Sequence, residues 1–440
     1  MASPSSANRA SAERAPTADG SYGPASRMAA WAFALVTYVV FDGFSHGMVD
    51  LRITPLTSLT LLATCAALVL ALLDGRGRRL LGPPEGGALG IVLVLFVAYT
   101  AVSAEIGYGR FDLGFVKNLL LFAAIVALAD TRRHIQWLLL AAGAAGLLQA
   151  GLGVGQMLVQ GGIPLGGVTG LLPNHVQYAM YMTLSAFALA PFAYQARGML
   201  RAGLIATEAL MVFIIVASLA RGVLVVAVVC TLVLLVMTLN SVRARVVAGA
   251  GTTALAAGAI AASDRLGTLL EIPAALGDPA QLDALLSGRL PMLLAALNMW
   301  KSQPIVGVGY GSFPKLWSHY APAGVGLPGV LRLELATHST YLQIAAEMGI
   351  IGLGLYLWLL VGGLRNAALA RRYRTQVADS AGSWIAAAIL VSLLAIALHG
   401  VLDNTGWHDR VLYILLALSV AARGIAAEGG PHADDAHSRA

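Results

Sequence analysis

Gly222–Asn240 reads GVLVVAVVCTLVLLVMTLN, nineteen residues without one charged side chain. A helix that crosses a bilayer needs about 20 predominantly apolar residues, so this run decides the fold class: an all-α polytopic membrane protein. Only Arg221–Gly222 separates it from a second apolar run at 202–220, which leaves room for a tight turn and nothing more. Working outward, the pattern recurs at 28–47, 54–73, 86–104, 112–129, 135–157, 173–195 and 246–262, then at 338–362, 383–400 and 410–425. About twelve transmembrane helices are therefore expected, nine before residue 262 and three after 338.

Composition agrees. Of 440 residues, 58% are hydrophobic and 11% charged, with a mean hydropathy of +0.77. Soluble domains carry roughly a quarter charged residues, so a soluble enzyme, a secreted disulfide scaffold and a disordered chain are all excluded. The 49 glycines suit close approach of membrane helices. Cys65 and Cys230 both lie inside apolar runs and indicate neither a disulfide framework nor a thiolate metal site.

A net charge of +6 raises the question of nucleic acid, and the distribution of the charge answers it. With the N-terminus in the cytoplasm, 18 of the 28 Lys and Arg fall on inside segments, from Arg9 through Arg76, Arg132, Arg197, Arg243 and Arg371 to Arg439. Every short inside loop is then basic, as the positive-inside rule requires. The topology read from this is N-in and C-in, in a bacterial inner membrane, with no nucleic-acid partner. The boundaries are a disordered tail at 1–27, helices over 28–262, one large periplasmic loop at 263–337, helices over 338–425 and a tail at 426–440. The first apolar run lacks a cleavage site of the Ala-x-Ala kind and reads as a signal anchor. Within the long loop, Leu290, Leu293, Leu294, Leu297 and Trp300 recur at helical spacing, which predicts an amphipathic helix lying on the membrane surface.

Several polar residues stand at the outer boundary. Arg221 lies where two apolar runs meet, and Arg289 opens the loop helix in Ser287-Gly-Arg-Leu-Pro291. A helix N-terminus capped by Ser287 and carrying a bidentate Arg suits a phosphate. His338, with Thr337 as cap, is expected in the first turn of the tenth span, where the dipole favours a neutral imidazole able to act as general base. Gly307-Val-Gly-Tyr-Gly311 reads as a turn, since no strand precedes it. Asp403, His408 and Asp409 lack a third ligand at helical spacing, so no metal is expected. Glu347 is buried by depth and lacks an evident partner, while Asn174-His175 either caps the sixth span or lines an outer cavity.

The stretch from Ser287 to Gly354 resembles the O-antigen ligase family of membrane glycosyltransferases. Its carriers are Ser287-Gly-Arg289, Trp300, the run from Pro304 to Phe313, and His338-Ser339 followed by nine residues, Gly349, two more and Gly352. The likeness extends back to Ser218–Gly222 and Pro173-Asn174, about the central half of the chain. It implies a C-type glycosyltransferase-like architecture whose essential residues fall on Arg221, Arg289 and His338. It implies further that pyrophosphate or acceptor meets Arg221, Arg289, Ser287, Ser339, Tyr341 and Asn174. The donor would be a glycan on undecaprenyl pyrophosphate and the acceptor lipid A–core, joined by an inverting displacement without cofactor, beneath a lid formed by the loop helix. A polysaccharide polymerase using the same donor is the nearest alternative, although such proteins often carry two long outer loops. A twelve-helix flippase is the alternative of another class, and it would place ionisable residues nearer the bilayer midplane.

Overall fold

A computed structural model describes residues 24–45, 54–79, 84–261, 268, 271–275, 277–278, 281, 283, 289–322, 336–404, 407 and 409–428. Among these are fourteen helices of eight or more residues and no strand. Nine precede the long loop: α1 (Pro24–Ser45), α2 (Thr54–Leu73), α3 (Pro84–Ile106), α4 (Gly114–Leu128), α5 (Arg132–Gln160), α6 (His175–Gln195), α7 (Gly198–Ala217), α8 (Arg221–Thr238) and α9 (Val242–Ala261). Two lie in that loop, α10 (Leu290–Ser302) and α11 (Phe313–Tyr320), and three follow it: α12 (Thr340–Gln376), α13 (Ser380–Leu402) and α14 (Arg410–Glu428).

All twelve apolar runs fall on helices. Among the described residues, nine of these helices are long and apolar enough to cross a bilayer, Leu59–Leu73 of α2 and Gly114–Leu128 (α4) are shorter apolar stretches, and α6 does not meet the same measure. Local chemistry sets several of the boundaries. The Thr131 hydroxyl accepts from His134 N–H to start α5, and Asp379 accepts from Gly382 N–H to start α13. Gly161, left-handed at φ 72°, stops α5.

The bundle has a centre and a rim. Two thirds of the apolar windows of α13 and α14 (67%) are buried inside the protein, against 6% for α9, which leaves α9 nearly bare for lipid. Tight approach at the centre comes from small residues: a Cβ on Gly143 or Gly146 of α5 would run into Leu189 or Ser185 of α6 at 2.2–2.3 Å. Buried polar pairs tie other helices, Arg410 to Asp42 across α14 and α1, and Arg423 to Asn366 (2.9 Å) across α14 and α12.

Charge also separates the two ends. Arg132 at the start of α5 and Arg374 near the end of α12 both meet Asp379 at the start of α13. Arg76 meets Asp74 and Asp130 in the same region. The opposite end, one α13 length away, holds Asp403 and both loop helices.

The loop helix α10 forms where its leucine pattern predicts, but it seats a different face. Met292, Ala295, Ala296 and Met299 are buried against Phe313, Trp317 and Ala346, while Leu293 and Leu297 are half-buried and Leu294 is exposed. Small and flexible side chains let α10 come close to α12, and that contact outweighs the bulkier leucine stripe.

Candidate active site

The site is built on a left-handed residue. His338 has φ 52°, an uncommon conformation for a side chain with Cβ. Its neighbours hold it there: Thr337 is fully buried, its hydroxyl donates to Ser339 C=O (2.7 Å), and its N–H donates to Gln343 Oε1 (3.2 Å). Ser339, not Thr337, is the N-cap of α12, its hydroxyl accepting from Leu342 N–H. His338 therefore precedes the helix instead of lying in its first turn, and its environment is set by a side chain rather than by the helix dipole.

That side chain is Asp403, at the end of α13. Its Oδ1 lies 3.2 Å from His338 Nδ1 and accepts Asn404 N–H at 2.7 Å. Its backbone carbonyl takes both the N–H (3.2 Å) and the hydroxyl (3.1 Å) of Thr340, which closes the first turn of α12 onto α13. Arg289 completes the cluster, with Nη2 at 3.7 Å from Asp403 Oδ2 and Nη1 donating to Leu402 C=O at 3.1 Å. Burial pushes the Asp403 carboxyl up, but the His338 hydrogen bond and the Arg289 charge outweigh it and hold the group down at about 2. An ionised carboxylate only accepts, so His338 Nδ1 must be the donor. The neutral ring then presents Nε2 as a lone pair, the tautomer a general base needs.

A depressed carboxyl stabilises the fold above its ordinary value of 3.8, and the contribution is lost as pH falls towards about 2. Asp403→Asn should therefore melt below the wild type at neutral pH, by on the order of 2 kcal/mol. The gap should narrow below pH 4 and close near pH 2; a gap that stays constant over that range would rule the ion cluster out as its source.

Arg221, the first residue of α8, approaches from a third side. Its Nη1 donates to Thr268 of the long loop. Gly222 abuts the side chain of Leu402, whose carbonyl Arg289 holds. The turn that delivers it is tight: Leu219 is left-handed (φ 55°) and the Ser218 hydroxyl donates to Ile215 C=O at 2.6 Å. Arg289 and His338 thus meet on Asp403, while Arg221 is joined to Thr268 and the residue after it, Gly222, packs against Leu402.

Other expected site residues are used differently. Asn174 Oδ1 accepts from Gln177 N–H (2.8 Å) and caps α6. The Tyr341 hydroxyl donates to Ala397 C=O (2.7 Å) and so points into α13. The first N–H of α10 donates to Asp283 Oδ1 (2.9 Å), so the protein's own carboxylate occupies the place expected for a phosphate. Ser287 and His408 lie outside the described residues. Asp403 and Asp409 serve separate partners, Asp409 accepting from the Tyr181 hydroxyl at 2.6 Å.

The glycine-rich turn proves to be a seam. Helix α12 breaks at Gly349 (φ 64°, ψ −164°). Val308 and Gly309 N–H donate to the freed carbonyls of Ala346 and Glu347 at 2.9 Å, and Ile350 N–H turns to Pro304 C=O at 2.9 Å. The partner that Glu347 requires is backbone: Phe313 N–H, first in α11, donates to its Oε1 at 2.9 Å. Ser103 and Tyr99 of α3 close the seam from the other side, with hydroxyls donating to the carbonyls of Glu347 (3.2 Å) and Met348 (3.1 Å). The carbonyls that the break frees at Ala346, Glu347 and Met348 are thus all met by donors of the seam or of α3.

Residues 206–357 match the family model described as O-Antigen ligase. Over that stretch, about a third of its length, the chain is similar to O-antigen ligases. The matched stretch contains Arg221, Arg289, His338 and the seam at Gly349, whereas Asp403, at the end of α13, lies beyond it. No curated protein matches the chain.

Proposed function

We propose that the chain is a ligase-type glycosyltransferase that moves a glycan from undecaprenyl pyrophosphate to a sugar hydroxyl of lipid A–core. On this reading the site faces the periplasm from the inner membrane. The observation that carries it is the meeting of His338 and Arg289 on the ionised Asp403, beside the start of α8. A base whose tautomer is fixed next to a guanidinium suits transfer from a donor whose leaving group is an anion.

His338 Nε2 takes the proton of the acceptor hydroxyl as that oxygen forms its bond to the anomeric carbon. The bond from that carbon to the pyrophosphate oxygen breaks on the opposite face, so the configuration inverts. Undecaprenyl pyrophosphate leaves with the bonding pair. Arg289 and Arg221 meet the charge that grows on it, and this kind of stabilisation is commonly the largest catalytic term. Asp403 holds the imidazolium that forms and returns it to the same tautomer. Because the donor is already activated, no nucleotide enters the reaction.

A deletion strain separates this function from its alternatives. The expected phenotype is loss of capped lipid A–core with accumulation of long lipid-linked chains. Core bearing single repeats would point instead to a polymerase, and donor held on the cytoplasmic face to a flippase.

A further inference from the structure

At the end of the bundle remote from Asp403, α1 and α5 both begin, and each opens with the same pair one helical turn apart: Arg27 with Trp31, and Arg133 with Trp137. All four side chains line one cavity of about 700 Å³, with Arg76 and His134 in its wall. That volume falls within the ~300–1,000 Å³ of small-ligand sites. The wall is fixed by its own charges. Asp130 binds Arg76 Nη1 and His134 Nδ1, both at 2.6 Å, Asp74 binds Arg76 Nε at 2.7 Å, and the His134 ring lies 4.4 Å from Phe33. Arg27 and Arg133, by contrast, pair with no acidic side chain among the described residues.

We propose that this cavity binds one anionic glycerophospholipid of the surrounding bilayer, its phosphate held by Arg27 and Arg133 and its glycerol and upper acyl chains lying along Trp31 and Trp137. The vertical order of the groups selects the ligand. Four residues of helix rise about 6 Å, which puts the indoles one turn deeper than the guanidiniums on both helices. Trp31 is 70% and Trp137 48% exposed on apolar helices, as aromatic side chains are at the headgroup boundary. A free phosphate would use the upper pair alone and leave both indoles unexplained. An amphiphile with its anion above and hydrocarbon below uses all four. Two planar forks facing one cavity favour a phosphodiester that can be gripped bidentately, and a neutral zwitterionic headgroup would set its own cation against them.

The test uses the full chain in detergent, with phosphatidylglycerol, phosphatidylcholine of the same acyl chains, and inorganic phosphate as probes. Native mass spectrometry should show one retained phosphatidylglycerol, and the melting temperature should rise with its concentration. Arg27→Gln/Arg133→Gln should lose about tenfold or more in that affinity, the scale of losing charge-assisted hydrogen bonds. Phosphatidylglycerol brominated high on its acyl chains should quench tryptophan emission of the wild type but not of Trp31→Phe/Trp137→Phe, which keeps the test open if the arginine variant does not fold. Equal binding of phosphatidylcholine, an equal shift from inorganic phosphate, or undiminished quenching in the phenylalanine variant would each overturn the proposal.

Discussion

His338→Ala is expected to lower glycan transfer by about 10²–10⁴-fold, the usual worth of a positioned acid–base group, while the protein still inserts and accumulates. The imidazole is held by Asp403 Oδ1, and the backbone strain at φ 52° is met by the buried Thr337 and the Ser339 cap. Alanine keeps that backbone and removes only the base. His338→Gln is the companion variant: its amide can donate to Asp403 yet offers no basic nitrogen, so it should be as inactive as alanine. In vivo capping of lipid A–core, scored against the amount of membrane-inserted protein, reads both. Wild-type transfer by either variant would remove His338 from the chemistry and leave Arg289 and Asp403 as a binding cluster.

How much of this was legible in the sequence differs from element to element, for physical reasons. The apolar runs were legible because length and lack of charge are local properties, and each of them became a helix. The relation between His338 and Gly349 was legible as spacing, but its meaning was not. Nothing local says that the break at Gly349 hands its carbonyls to Val308 and Gly309, forty residues upstream. Thr337 and Ser339 both have cap-forming side chains, so the sequence alone could not say which starts α12; the link from Thr340 to Asp403 settles it in favour of Ser339. Asp403 was weighed in the sequence only beside His408 and Asp409, as a metal ligand set that lacked a further member. Its true partners, His338 and Arg289, are 65 and 114 positions away in sequence. The α10 face misled because large apolar residues mark hydrophobicity, whereas Met292, Ala295 and Ala296 mark how close two helices can come.

Gly349→Ala should be strongly destabilising, and the reason is geometric. At φ 64°, ψ −164° the residue lies in a region essentially reserved for glycine, worth about 1–3 kcal/mol to any other side chain. The added Cβ would also stand 2.1 Å from Ile305 C=O and 2.6 Å from Val306 N, and both are backbone atoms of the seam that cannot swing away. Relief requires the seam to open, and opening it takes Val308 N–H from the Ala346 carbonyl and leaves Glu347 C=O with Ser103 alone, at about 1–3 kcal/mol for a buried group left unsatisfied. A protein of ordinary stability, about 5–15 kcal/mol, loses a large part of its margin. The variant should therefore show sharply reduced levels in the membrane or a much lower melting temperature. Gly354→Ala, five residues along the same helix with nothing within 4 Å of its added Cβ, is the matched control. It should accumulate as the wild type does, or slightly better, since alanine is favoured over glycine in a helix by about 0.5–1 kcal/mol. If both variants behaved alike, the break would be a slack joint. If only Gly349→Ala fails, the seam is what holds the first turns of α12, and so His338, against Asp403.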